Sequence, residues 1–110
     1  GARCTVTALR GTGGGVEANV NRWREQFGRD ALGGDAIDAL PRIPMLGRLV
    51  PSVRIEGTFA PSRGDTVSDA ALLGAIATLD GETVFVKLVG PRDAVDDQGE
   101  RFAAFCRGLR

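Results

Sequence analysis

The stretch from residue 71 to 90 constrains the fold most, because it has the pattern of a β-hairpin closed by Asp80-Gly81. The apolar runs ALLGAIATL and ETVFVKLVG flank this dipeptide, which favours a type I′ turn with positive φ at both central residues. Both faces of the hairpin are largely apolar, so we expect helices or another layer on each side. The expected register pairs Leu79 with Glu82, Ala77 with Val84, Ala75 with Val86, Leu73 with Leu88, Ile76 with Phe85 and Gly74 with Lys87.

Two further segments alternate in the manner of strands, residues 3–9 and residues 49–60. Pro51 favours an edge, a bulge or the first residues of the second of these strands. Between them, residues 29–48 show only a loose pattern, in which DAIDAL at 35–40 is compatible with a short helical turn. A polar loop follows at 61–69, and its Arg-Gly-Asp tripeptide is too short to indicate integrin binding.

Two amphipathic helices complete the pattern. Gly28 is a natural end for the first, and Pro91 stands near the start of the second, where Asp93 favours the first turn. The first helix carries one apolar stripe, formed by Val16, Val20, Trp23 and Phe27. The second carries Val95, Phe102, Cys106 and Leu109, with Phe105 on the flank of the stripe. We therefore predict one α+β domain over residues 1–110, with a mainly antiparallel sheet of four or more strands packed by helices.

The composition excludes several classes of function. The chain has no His, which removes the commonest general base and the commonest nitrogen ligand of metals, and it excludes a Ser-His-Asp or Cys-His site. Its 14 basic and 14 acidic residues cancel, so no global field would attract nucleic acid or an anionic membrane. No apolar run reaches the roughly 20 residues that span a bilayer. We expect no catalytic residue, no cofactor and no metal.

The two cysteines, Cys4 and Cys106, lie at opposite ends of the chain. Their separation excludes a Cys-x-x-Cys redox motif and a zinc knuckle. Two alternatives stay open: one disulfide, if the termini pack together, or two small buried hydrophobic side chains.

The glycine-rich stretch GTGGG at 11–15, between a strand and a helix, has the layout of a phosphate-binding turn. The details do not fit such a site. A dinucleotide fingerprint would need glycine where Val16 or Ala18 stands, and a P-loop would need a Lys that is absent there. We interpret the glycines as a tight connection that uses positive φ.

The polar flanks of the first helix allow two interpretations. Asn is a mediocre helix former, so two of them within one helix suggest that their side chains bind something. They either tie down the glycine loop and the segment after residue 28, or they form a surface for a partner. For partner contacts we single out Asn19, Arg22 and Arg24 on the helix, and Arg63 and Asp65 in the loop at 62–66.

The sequence GGGVEANVNRWREQFG resembles the signature of a family of small planctomycete-type bacterial proteins, in which a Gly-rich turn precedes ANVNRWRxQ. Matching stretches follow in the same order over nearly the whole chain: LPRIPMLG, VRIEGTF, LLGAI, FVKLVGP and FCRGLR. The resemblance implies a PsbP-like α/β/α sandwich, shortened at its N-terminus, of the kind used by an extrinsic photosystem subunit and a nuclear Ran-binding protein. Members carry secretion or lipoprotein signals, which implies a periplasmic or extracytoplasmic location and an anchor through an N-terminus missing here.

These observations predict a non-catalytic binding or assembly subunit, an extrinsic component of a membrane-bound photosynthetic or electron-transfer complex whose subunits are its protein partners. Two alternatives remain. One is an enzyme that uses carboxylates or a divalent cation, for which the candidates are Asp35, Asp38, Asp93, Asp96 and Asp97. The other is a carrier that holds a small ligand between the sheet and a helix.

Overall fold

A computed structural model of the chain describes residues 2–10 and 15–109. Residues 11–14, which include most of the predicted glycine connection, lie outside the described part. The elements in chain order are β1 (Arg3–Arg10), α1 (Gly15–Gln26), α2 (Gly34–Asp38), β2 (Arg42–Met45), β3 (Arg48–Phe59), β4 (Val67–Leu79), β5 (Glu82–Pro91), α3 (Arg92–Asp97) and α4 (Gly99–Gly108).

The strands form one antiparallel sheet of five, in the order β1-β5-β4-β3-β2. The predicted α+β class with an antiparallel sheet is thus confirmed. The central pair, β4 and β5, has the predicted register, with Ala75 opposite Val86 and Gly74 opposite Lys87. The two-residue turn at Asp80-Gly81 places Leu79 opposite Glu82, and this fixes the register of the rest of the hairpin.

The predicted type of the β4–β5 turn is wrong. Gly81 has φ 70°, but Asp80 is not among the residues with positive φ, whereas a type I′ turn needs both. Positive φ at the second central residue alone is the pattern of a type II turn. Consecutive positive values occur instead at Leu46 and Gly47, with φ 54° and 73°, where β2 turns into β3.

The fifth strand, β2, falls in the segment that showed only a loose pattern in the sequence. It is four residues long and pairs with the start of β3, Ile43 lying opposite Val50. Pro44 lacks an N–H group, and the strand tolerates it because β2 is at the edge of the sheet.

Helices cover both faces of the sheet. On one face, Val20, Trp23 and Phe27 of the α1 segment pack with Ile37 of α2 in a cluster that includes Ile76 of the sheet. On the other, Val95 of α3 and Phe102 and Cys106 of α4 pack against side chains that include Val86 and Leu88. The result is a helix–sheet–helix sandwich with the sheet in the middle.

The predicted C-terminal helix is divided into two, α3 and α4, which are separated by Gln98. Gly99, a poor helix former, is the first residue of α4. The predicted apolar stripe is nevertheless buried at Val95, Phe102 and Cys106, while Phe105 on its flank stays 45% exposed.

Candidate functional site

Asn19 of α1 is completely buried. Its Nδ2 donates a hydrogen bond to the carbonyl oxygen of Gly15 at 2.7 Å, and its Oδ1 accepts one from Nη1 of Arg22 at 3.1 Å. The amide therefore serves the first turns of its own helix. A contact between Asn19 and a partner, as predicted, does not fit this buried position, whereas Arg22 is exposed.

Asn21 and Arg24 hold the segment that follows α1. The Asn21 side chain makes a reciprocal pair of hydrogen bonds with Leu32: Nδ2 donates to the carbonyl oxygen at 3.0 Å, and Oδ1 accepts from the N–H at 2.7 Å. Nε of Arg24 donates to the carbonyl oxygen of Asp30 at 2.6 Å. Of the two interpretations of these polar side chains, the structure supports the first, in which they tie down the chain after residue 28.

Lys87 of β5 lies on the side of the sheet that α1 covers, close enough to Arg22 for their two charges to interact. Lys87 reaches up from β5, and its Nζ lies 5.8 Å from the centre of the Trp23 ring, a cation–π geometry. Burial, and then the nearby positive charge of Arg22, lower the pKa of the Lys87 ammonium. This part of the surface is thus locally basic, although the chain as a whole is neutral.

Arg63 and Asp65 are exposed in the connection between β3 and β4. That connection begins beside the end of α1, where the N–H of Ala60 donates to the carbonyl oxygen of Gln26 at 2.7 Å. The loop and α1 are thereby neighbours, but among the described residues no hydrogen bond or ion pair joins Arg63 or Asp65 to the predicted helix residues. The structure leaves their predicted contact with a partner untested.

Both cysteines are free thiols: Cys4 is exposed on β1, and Cys106 is buried on the side of α4 that faces the sheet. Burial raises the pKa of the Cys4 thiol above its ordinary value. Burial, with a smaller contribution from Cys4, raises the pKa of Cys106 to about 11. Both groups are therefore protonated at neutral pH, and neither is an activated nucleophile. The structure holds them unbonded, and the disulfide stays one of the two alternatives that the sequence leaves open.

The acidic candidates do not assemble into a site. Asp35 and Asp38 are exposed on the short helix α2, while Asp96 is held by Arg54 in an ion pair of 2.8 Å. Asp93 and Asp97 are exposed on α3. Within residues 2–10 and 15–109, no three His, Cys, Asp or Glu side chains are placed to hold a metal ion.

A groove lies between β1 and α4, and the sequence analysis did not predict its position. It has a volume of about 380 Å³ and is lined by Cys4, Val6, Leu88, Gln98, Arg101, Phe102 and Phe105. The ladder explains one wall: Cys4 lies opposite Leu88, and Val6 opposite Val86, so these side chains share the face that α4 covers. Because α4 lies closest to β2, at the far edge of the sheet, it leaves the β1 side of this face open.

The groove keeps large apolar side chains in contact with solvent. Val6 is 50% exposed and Phe105 is 45% exposed, on opposite walls. The one sequence signal that pointed here was the position of Phe105 beside the buried stripe rather than within it. The position of α4 on the sheet determines whether Phe105 is covered. That position depends on tertiary packing, which the periodicity of the sequence does not predict.

No helix in the described part of the chain is long and apolar enough to cross a membrane. Comparisons of the chain with protein-family models, with curated proteins and with solved structures found no match. The fold and the geometry of its surfaces are therefore what bears on function.

Proposed function

We propose that the chain is a non-catalytic binding or assembly subunit that docks on a protein partner through the groove between β1 and α4. The observation that carries the proposal is the half-exposed pair of apolar side chains, Val6 and Phe105, on the two walls of this groove. Contiguous exposed apolar surface of this kind is a feature of interaction sites on soluble domains.

The groove can supply the centre of an interface but not the whole of it. Covering roughly 100 Å² of apolar surface contributes about 2.5 kcal/mol, and aromatic side chains near the centre of an interface carry much of its binding energy. The loss of translational and rotational freedom on association costs roughly 4–15 kcal/mol, so the partner must also bury surface around the groove. Phe105 is therefore the side chain on which we expect affinity to depend most.

The chemistry of the side chains supports a role without catalysis. The chain has no imidazole, and both thiols have a raised pKa. Nucleophilic or general-base catalysis at neutral pH needs a group whose pKa lies near the pH of the reaction, and a thiol reaches this only when its pKa is lowered.

The class of partner rests on the resemblance of the sequence to the family of small planctomycete-type bacterial proteins, whose expected fold is PsbP-like. We propose the subunits of a membrane-bound complex, photosynthetic or electron-transferring, on the periplasmic or extracytoplasmic side of the membrane. In this proposal the exposed residues Arg22, Arg63 and Asp65 make further, polar contacts with the partner, whereas Arg24 holds the segment after α1.

The test is binding to membranes of the organism that makes the protein. Purified wild type is compared with Phe105→Ser and with Leu49→Ser, a matched control whose side chain is 65% exposed on β3. We expect saturable binding that Phe105→Ser weakens at least tenfold and Leu49→Ser leaves unchanged. The captured protein, purified in turn, should bind this chain and belong to a membrane complex. Unsaturable binding, or equal binding by both variants, overturns the proposal.

The same groove favours a second candidate function, transport of a small apolar ligand. Ligand pockets range over roughly 300–1,000 Å³ and are mostly apolar, and the groove falls at the small end of this range. A carrier would bind 1-anilinonaphthalene-8-sulfonate with one-to-one stoichiometry and release it on addition of dodecanoate. A docking surface would give neither result.

A further inference from the structure

Among the described residues, no strand pairs with the outer edge of β1. β1 is an end strand of the sheet and pairs with β5 through eight consecutive residues without a bulge. Seven of its residues are exposed and Thr7 is half-buried. In an end strand, alternate N–H and C=O groups point away from the sheet, where they can pair with another strand.

The opposite edge of the sheet is protected in a way that β1 is not. β2 is four residues long and contains Pro44, with Pro41 directly before it. Short length and proline are common devices that prevent pairing with a further strand. Residues 4–9 of β1, CTVTAL, contain neither proline nor charge. Two edges of the same sheet thus differ in the property that controls strand addition.

The groove continues the open edge on one face. Cys4 and Val6 line it, and Phe105 stands on its other wall. A strand added outside β1 would place every second side chain on this same face, beside Phe105 and Val6. On the other face it would lie beside Thr5 and Thr7, which favours small polar residues there.

The charged side chains of β1 itself and of the groove lining are all basic. Arg3 and Arg10 are exposed at the two ends of β1, and Arg101 is the charged residue in the lining of the groove. In the described part of the chain, no hydrogen bond or ion pair holds these three guanidinium groups. Glu82 lies opposite Arg10 in the ladder without forming an ion pair with it. The edge is therefore complementary to a segment with carboxylates near its ends.

We propose that β1 accepts an extended segment of a partner protein as a sixth strand of the sheet. The segment has apolar residues at alternate positions facing the groove, small polar residues on the other face, and acidic residues near its ends. This inference rests on the proposed docking function and specifies how the partner binds: main-chain hydrogen bonds supply the pairing, and the groove selects the side chains.

The charges also argue against a second copy of the chain as the added strand. Antiparallel pairing of two β1 strands would bring Arg3 of one copy near Arg10 of the other, at both ends of the interface. The two side chains lie on opposite faces of the sheet, but the charges at each end of such an interface have the same sign and repel each other. An acidic segment turns the same positions into favourable contacts.

The probe is a fluorescein-labelled peptide of sequence EVTVTVTE, with KVTVTVTK as the control for charge. We expect the acidic peptide to bind about tenfold more tightly than the basic one, as two or three exposed ion pairs would give. Val6→Lys, on the groove side of β1, should weaken binding at least tenfold. Leu49→Lys, the matched control on β3, should leave it unchanged.

Hydrogen exchange distinguishes strand addition from simple occupation of the groove. Peptide binding should slow exchange of alternate amides in β1, because those N–H groups become paired in the new ladder. Absence of binding, binding without slowed exchange in β1, or equal affinity for the two peptides overturns the inference. A dimer in sedimentation that Val6→Lys dissociates also overturns it, since a second copy would then occupy the edge.

The two proposals fail separately. Loss of membrane binding in Phe105→Ser, with no slowed exchange in β1 when the partner is bound, leaves docking in the groove correct and strand addition wrong. Peptide binding with slowed exchange in β1, together with no saturable binding to membranes, leaves strand addition correct and the membrane-complex partner wrong.

Discussion

The indole ring of Trp23 lies directly against the backbone of Gly74, which fixes how closely α1 approaches the sheet. A Cβ atom at Gly74 would overlap Cζ3 of the ring and lie 3.1 Å from Cε3. The ring also meets Phe85 edge-on, with 5.7 Å between centroids and 71° between planes. Glycine in the interior of a strand usually lowers stability. At position 74 it leaves room for Trp23, the largest side chain of the core.

Gly74→Ala should therefore destabilise the protein by about 1–3 kcal/mol, the usual cost of overpacking a core. Urea unfolding measures this change in the free energy of unfolding. Gly99→Ala is the matched control, because a Cβ there meets nothing within 4 Å and alanine is the better helix former. A Gly74→Ala variant as stable as the wild type would show that the contact with Trp23 is easily relieved.

Asn21 should contribute to stability through the two hydrogen bonds that it makes with Leu32. Asn21→Ala removes both bonds, and we expect a loss of about 1–2 kcal/mol together with faster hydrogen exchange of the Leu32 amide. Glu25→Ala, an exposed change on the same helix, should alter neither quantity. An unchanged exchange rate at Leu32 would contradict the proposed tie between α1 and the segment after it.

How much of this could be predicted from the sequence depends on whether the signal is local. The pairing of β4 with β5 was predictable, because the two-residue turn at Asp80-Gly81 fixes one register, in which Ala75 lies opposite Val86. β2 was not, because Pro44 weakens the strand pattern and the turn after it places Leu46 at φ 54°, a conformation that leucine rarely adopts.

The candidate site was less predictable than the fold. A polar side chain in a helix has the same pattern whether it holds a neighbouring segment or faces a partner. The structure assigns Asn21 to the first role and buries Asn19 against its own helix. The groove arises because α4 lies closest to β2 and leaves β1 open, a relation between elements at opposite ends of the sheet. Such long-range placement is set by the packing of the whole core, not by local periodicity.

Phe102 and Phe105 should separate stability from binding, since they are three residues apart on α4 and differ in burial. Phe102 is 7% exposed, and Phe102→Ala should cost about 3–5 kcal/mol. Phe105 is 45% exposed, and Phe105→Ser should change stability by no more than about 0.5 kcal/mol while it weakens docking at least tenfold. A large loss of stability in Phe105→Ser would instead assign this side chain to the core.

Cys106 should make stability depend on pH in the alkaline range. Its pKa is raised from 9.0 in the unfolded chain to about 11 in the fold, so the folded state holds the proton more tightly. The stabilisation is complete below pH 9 and is lost as pH rises through about 11, because the unfolded state then releases its proton first. Urea unfolding at pH 8, 9.5 and 10.5 should show a steeper decline in the free energy of unfolding for the wild type than for Cys106→Ala.

The burial and protonation of Cys106 also predict that iodoacetamide at pH 8 modifies exposed Cys4 faster than buried Cys106. Equal rates, or parallel pH profiles for the two proteins, would contradict the buried, protonated state of this thiol.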